Sequence, residues 1–251
     1  MTNEMLLGRK ILITGASGGL GERFARLCVA AGAQVALAAR RTNRLDAIVA
    51  SLGEGRAIAI RMDVADEASV IAAYEAAEAF MGPLDGVVAN AGIELSGPAT
   101  DITVEDFDQV MAVNVRGAFL TAREGGRRMQ KSGVAEKGRI VLISSITARI
   151  TSPGITPYSI SKAAVSHLGR MLAREWVRSG PNVNCISPGY IATDLVEEWF
   201  ATEGGKKQIA RFPRRRLMEP GSLDGALLFL LSDAASNTTG TDIVIDDGQT
   251  L

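Results

Sequence analysis

Three tyrosines occur in the chain, and only Tyr158 has a lysine four residues on, Lys162; Tyr74 and Tyr190 have Glu78 and Asp194 there. On a helix, positions i and i+4 share a face, so a phenol and an ammonium lie side by side. A neighbouring cation favours phenolate and is expected to lower the phenol from about 10 toward neutrality, where a proton-transfer group works best. The same spacing also arises as a plain surface contact, so the surroundings must decide. The single histidine, His167, is nine residues after Tyr158. At about 100° per residue it falls on the opposite side of that helix, which predicts a structural or surface histidine and leaves no histidine base or metal site.

A second group of residues points to phosphate. Thr14-Gly-Ala-Ser-Gly-Gly-Leu-Gly21 follows an apolar run and precedes a helical pattern. Gly15, Gly19 and Gly21 permit a tight turn, close approach of backbone N–H groups to a pyrophosphate, and a helix N-terminus that favours anions. The segment Gly15-Ala-Ser-Gly-Gly19 also satisfies the G-x-S-x-G nucleophile elbow, which keeps a serine hydrolase built on Ser17 open as an alternative. About 20 residues past the glycines, a carboxylate would suit the ribose 2′-hydroxyl of NAD and an arginine the 2′-phosphate of NADP. Here the second apolar run ends in Arg40-Arg41. Two guanidiniums able to grip phosphate favour NADP(H) over NAD(H).

The elements that must hold these residues are legible as alternation. Apolar runs at 11–13, 35–38, 57–60, 87–89, 140–143, 183–186 and 243–245 are separated by helical patterns near 20–31, 42–52, 66–81, 104–131, 157–179 and 221–232. That order predicts βαβ units around a parallel sheet covered on both faces. Polar residues gather where the runs stop: Thr14-Gly15, Arg40, Asp63-Val64, Asn90-Ala91-Gly92, Ser144-Ser145 and Pro188-Gly189. In open α/β sheets ligands bind outside the carboxyl ends of the strands, so these segments are expected to meet at one crevice. Within 104–131 an apolar stripe of Phe107, Met111, Ala118 and Ala122 includes Asn114, whose amide either fastens neighbouring backbone or serves chemistry. Residues 190–219, with Trp199, Phe200, Phe212 and six basic residues between 206 and 216, read as a candidate substrate lid.

The composition sets limits. Basic and acidic residues number 27 and 28, the net charge is −1, and 47% of residues are hydrophobic. No broad cationic field draws nucleic acid or an anionic membrane, and no apolar run of about 18 residues predicts a membrane span. Cys28 and Cys185 lack disulfide or zinc spacing. The N-terminal residues carry no basic, apolar leader pattern, and a cytoplasmic protein of one domain spanning 1–251 is expected.

With those residues assembled, the chain resembles the short-chain dehydrogenase/reductase family over nearly its whole length. The glycine segment matches the TGxxxGxG loop, Asp63-Val64 the adenine-side pair, Asn90-Ala-Gly92 most of the NNAG stretch, and Tyr158-Ser-Ile-Ser-Lys162 the YxxxK. Ala89 departs from the usual first Asn of that stretch. The resemblance implies a doubly wound Rossmann fold with a seven-stranded parallel sheet and helices on both faces. It also implies a catalytic tetrad of Asn114, Ser145, Tyr158 and Lys162. Ser145, thirteen residues before the tyrosine, takes the serine role over Ser144. Tyr158 would exchange a proton with the carbonyl or alcohol oxygen, Ser145 would hold that oxygen, and Lys162 would bind the nicotinamide ribose. Asn114 would hold a water linking the lysine to solvent. Cofactor contacts are implied at Gly15, Ser17, Gly19, Leu20 and Gly21, at Arg40 and Arg41, and at Asp63 and Val64. Asn90, Ala91 and Gly92, Tyr158 and Lys162, Pro188 and Gly189, and Ile191 and Thr193 complete the implied set, with no metal. A homotetramer packed through helices 104–131 and 157–179 is implied as well. The expected reaction interconverts a ketone and a secondary alcohol; a narrower alternative is a 3-oxoacyl thioester reductase.

Overall fold

The computed structural model describes residues 4–193 and 199–251. Seven strands form one parallel sheet: β1 (Lys10–Thr14), β2 (Gln34–Ala39), β3 (Ala57–Arg61), β4 (Gly86–Ala89), β5 (Arg139–Ile143), β6 (Asn182–Pro188) and β7 (Asp242–Ile245). Their order is β3-β2-β1-β4-β5-β6-β7, so the winding reverses between β1 and β4. A crevice opens at such a reversal.

Helices α1 (Gly19–Ala30), α2 (Thr42–Leu52), α3 (Glu67–Met81), α4 (Val104–Met111), α5 (Gly117–Lys131), α6 (Thr156–Trp176), α7 (Glu203–Arg211) and α8 (Asp224–Leu231) connect and cover the strands. Alternate residues of one strand feed different faces: Ile11 and Ile13 pack with Phe24, Leu45 and Leu227, whereas Leu12 packs with Tyr74, Met129 and Val165. Side chains on a strand point up and down in turn, so a sheet clothed on both sides needs unbroken apolar runs. That is why β4 and β5 are buried at every position. The edge strand β7 is only half-buried.

The helix expected over 104–131 is interrupted. Residues Ala112–Arg116 form a π-helical turn between α4 and α5. The extra residue in that turn shifts the buried stripe, so Val110, Asn114, Ala118 and Ala122 face inward while Phe107 is 37% exposed. Phe107 and Met111 therefore leave the stripe on which the sequence placed them. The lid range 190–219 contains α7, a helix absent from the sequence reading; Asp194 and its four successors lie outside the described residues. Cys28 and Cys185 are separately buried, and burial pushes each thiol up to about 12. No described helix is long and apolar enough to cross a membrane.

Candidate active site

The carboxyl ends of the strands border one cavity of about 1180 Å³. Its wall takes in the glycine segment, Arg40 and Arg41, Asp63 and Val64, Asn90 to Gly92, Ser145, Tyr158, Lys162, Pro188, Gly189, Ile191 and Thr193. Every residue the sequence assigned to cofactor or catalysis is thus on this wall except Asn114, which lies behind it.

The glycine turn is built for close approach. Gly15 has φ +67°, and a Cβ there would stand 2.8 Å from Ala91 Cα. A Cβ on Gly21 would collide with Gly15 O. Asn90 Nδ2 donates to Thr14 O at 3.0 Å, and the Asn90 and Ala91 amides donate to Thr14 Oγ1 at 3.1 Å, pinning the ends of β1 and β4 together. Asn90 thereby supports the turn from the side. Whereas α3, α4 and α7 are capped by Asp66, Thr103 and Thr202, α1 has no side-chain cap at Gly18. Its free N–H groups and positive end face the cavity, the environment a pyrophosphate requires. A dinucleotide fits this cradle.

At the far end of β2, Arg41 donates to Ser17 Oγ from Nε at 3.3 Å and from a terminal nitrogen at 3.0 Å. Arg44, on the first turn of α2, also borders the cavity. It was missed in the sequence, although it lies only three residues after Arg41, the N-cap of the same helix.

Ser145 and Ser144 separate cleanly. Ser144 Oγ donates to Lys162 O at 2.8 Å and shares a hydrogen with Ser166 Oγ at 2.7 Å, which commits it to the interior. Ser145 Oγ accepts from Thr147 N at 3.2 Å and Thr147 Oγ1 at 3.0 Å. With both lone pairs used, its own proton is left for the Tyr158 phenol oxygen and the crevice in front of it. Thr147 is a residue the sequence reading missed. Tyr158 and Lys162 lie on the same side of α6, the ammonium 5.4 Å from the phenol ring centre and donating to Ile143 O at 2.9 Å. Asn114, presented by the π turn, accepts from Ile93 N at 2.8 Å and donates to Ile93 O and Ser161 Oγ, both at 2.9 Å. A Cβ on Gly92 would lie 3.4 Å from both Asn114 Oδ1 and Lys162 Nζ, so the amide and the ammonium converge on that backbone.

A family profile described as enoyl-(acyl carrier protein) reductase matches residues 15–250. Gluconate 5-dehydrogenase of Gluconobacter oxydans is 35% identical over 98% of this chain and 96% of its own. Glucose 1-dehydrogenase of the same organism is 36% identical over 99% of this chain and 94% of its own. The chain belongs to the short-chain dehydrogenase/reductase family. Among solved structures, a short-chain dehydrogenase from Burkholderia cenocepacia in complex with NADP superposes with a TM-score of 0.89 at 30% identity, covering 99% of this chain and 100% of that one. This dehydrogenase/reductase is accordingly an oxidoreductase of alcohol and carbonyl groups.

Its electrostatics depart from the sequence expectation. Burial, followed by the Glu94 carboxylate, pushes the Tyr158 phenol up, and a hydrogen bond with Ser145 brings it only part of the way back. Lys162 does not supply the lowering that the Tyr-Lys spacing suggested, because desolvation takes the lysine itself down to about 8 and its proton is given to Ile143 O. The hydrolase alternative also falls. Ser17 Oγ is held by Arg41, and His167 is exposed on the far side of α6 beside Arg170 at 3.3 Å. No imidazole reaches Ser17. The six basic residues of 206–216 stand off the cavity wall; Lys206 pairs with Glu203, and Arg214 and Arg216 pair with Asp247. Over the opening, Tyr190 meets Phe200 edge-on at 5.4 Å and stacks with Phe212 at 5.6 Å, joining the end of β6 to the segment that carries α7.

Proposed function

We propose that this chain is an NADP(H)-preferring enzyme that interconverts a ketone and a secondary alcohol, with Tyr158 as the proton-transfer group. The observation that carries the reading is the meeting of Ser145, Tyr158 and Lys162 at the strand ends beside the uncapped start of α1. On this reading the whole chain serves one domain, since the cavity wall runs from Gly15 to Gln208.

When bound, the nicotinamide supplies or accepts the hydride. Gly15, Gly19 and Gly21 hold the pyrophosphate against backbone N–H groups, with Leu20 at the helix start and Asp63 and Val64 on the adenine side. Thr193 and Ile191, after the Pro188-Gly189 turn, contact the nicotinamide end. Ser145 donates a hydrogen bond to the substrate oxygen and steadies the charge that develops there. Tyr158 gives its proton to that oxygen in reduction and takes one from the alcohol in oxidation. Lys162 hydrogen-bonds the ribose and, once drawn toward it, places its positive charge where it favours phenolate. Asn114 keeps the Ile93 backbone in the position that shapes this corner and holds a water that links Lys162 to solvent.

Arg40, Arg41 and Arg44 put three guanidiniums at the adenosine end of the cavity, where a 2′-phosphate can be held bidentately. Replacing Arg40 and Arg41 by alanine should weaken NADPH by about 1–3 kcal/mol, the worth of charged hydrogen bonds, and change NADH by much less. Titration of both nucleotides by fluorescence checks this; equal losses would refute the preference. A panel of ketones and alcohols followed at the nicotinamide absorbance, free and carrier-bound, tests the activity and separates the thioester reductase alternative.

A further inference from the structure

Beyond Tyr158 the cavity is walled by Glu94, Ser96, Ser152, Tyr190, Trp199 and Gln208. Among the described residues the cations on the wall are Arg40, Arg41 and Arg44 at the adenosine end, and Lys162 beneath the phenol. The substrate half therefore carries one formal charge on its described wall, the carboxylate of Glu94, which is half-buried. Glu94 Oε1 accepts from Ser96 Oγ at 2.9 Å. A carboxylate has about four acceptor sites, so the bond from Ser96 leaves most of its capacity unused.

Such a group accepts hydrogen bonds from hydroxyls and repels another carboxylate brought against it. Ser96, Ser152 and Gln208 add neutral partners for further hydroxyls, and Gln208 is itself oriented by Trp199, whose Nε1 donates to its Oε1 at 2.8 Å. The two named relatives, at 35% and 36% identity, are a dehydrogenase of a sugar acid and one of a neutral sugar, so overall similarity leaves the charge of the substrate open.

We infer that Glu94 is a specificity-determining residue that accepts a hydroxyl next to the reacting carbon, so that the substrate is a neutral polyhydroxylated compound and a sugar acid is refused. This deepens the proposed ketone–alcohol activity and rests on it. The same carboxylate raises the Tyr158 phenol, which ties the specificity group to the proton-transfer group.

The test measures kcat/KM for oxidation of threitol, sorbitol, gluconate, glucosaminitol and a cyclohexanol with NADP+, in the wild type, Glu94→Gln and Glu94→Asp. The wild type should favour the best neutral polyol over gluconate by at least about tenfold. Glu94→Gln should shrink that ratio at least about fivefold, raise KM for the polyol, and move the pH profile of alcohol oxidation to lower pH. Glu94→Asp keeps the charge and should keep the refusal of gluconate, which covers the case in which the amide variant fails to fold. A wild-type preference for gluconate, for the amino alcohol or for cyclohexanol would overturn the inference and leave the oxidoreductase reading standing. So would a polyol-to-gluconate ratio that Glu94→Gln leaves unchanged. Absence of nicotinamide-coupled turnover with any of the five, and with the broader panel, would overturn both.

Discussion

Lys162 is the residue whose physical cost is clearest. It is 5% exposed, its ammonium has Ile143 O as its hydrogen-bond partner, and burial holds it down to about 8 from an ordinary value of 10.5. Because the folded state binds this proton less tightly than the unfolded chain, the destabilisation is full below pH 8. It is relieved as the pH rises from about 8 to about 10.5, where the unfolded chain still carries the proton, and it is absent above. Lys162→Met in the protein without nucleotide should therefore raise stability at pH 7 by about 1–3 kcal/mol, taking about 1.4 kcal/mol per pKa unit and allowing for imperfect packing. The gain should fade by pH 10.5. Thermal unfolding of both proteins at the two pH values checks this, and a variant less stable at pH 7 would contradict the assignment. The pair Tyr158 and Lys162 was legible from its spacing. Its electrostatic state was not, because the sign depended on burial and on Glu94, a residue no motif marked.

At the scale of elements, α6 carries both Tyr158 and Lys162, so its seating on the sheet governs the site. Gly169 lets α6 approach β6: a Cβ there would stand well inside the van der Waals contact distance to Cys185 Sγ. Gly169→Ala should cost about 1–3 kcal/mol by overpacking and lower kcat by lifting the tyrosine, while Cys185→Ala in the same chain should restore part of both. Independent, additive effects in that double-mutant cycle would show that the contact is not what seats the helix. All seven strands follow from short apolar runs, six of them unbroken and that of β6 carrying Asn184, and the helix start at 42 agrees with its sequence bound while the start at 67 falls one residue after it. The π turn at Ala112–Arg116 was invisible, since the bonds that Asn114 makes from it to Ile93 join distant segments. The helix Glu203–Arg211 hid in a segment whose charges outweighed its weak apolar pattern.

For the whole molecule, a near-neutral chain divides its charge along one cavity: Arg40, Arg41 and Arg44 with Asp63 beside the glycine turn, Glu94 beyond Tyr158, and between them the phenol at the strand tips. The position of that cavity was legible because the winding of the sheet brings every polar strand end to one side. Its substrate half was not, since Glu94, Ser96 and Gln208 belong to loops and to α7, whose placement no periodicity fixes. Proton transfer turns on the Tyr158 hydroxyl. The most direct measurement is kcat/KM for carbonyl reduction by Tyr158→Phe together with its NADPH affinity. Loss of a positioned proton-transfer group should lower turnover by about 10²–10⁴-fold while NADPH binding stays within about threefold. Turnover near that of the wild type, with NADPH bound as tightly, would contradict the role given to this phenol.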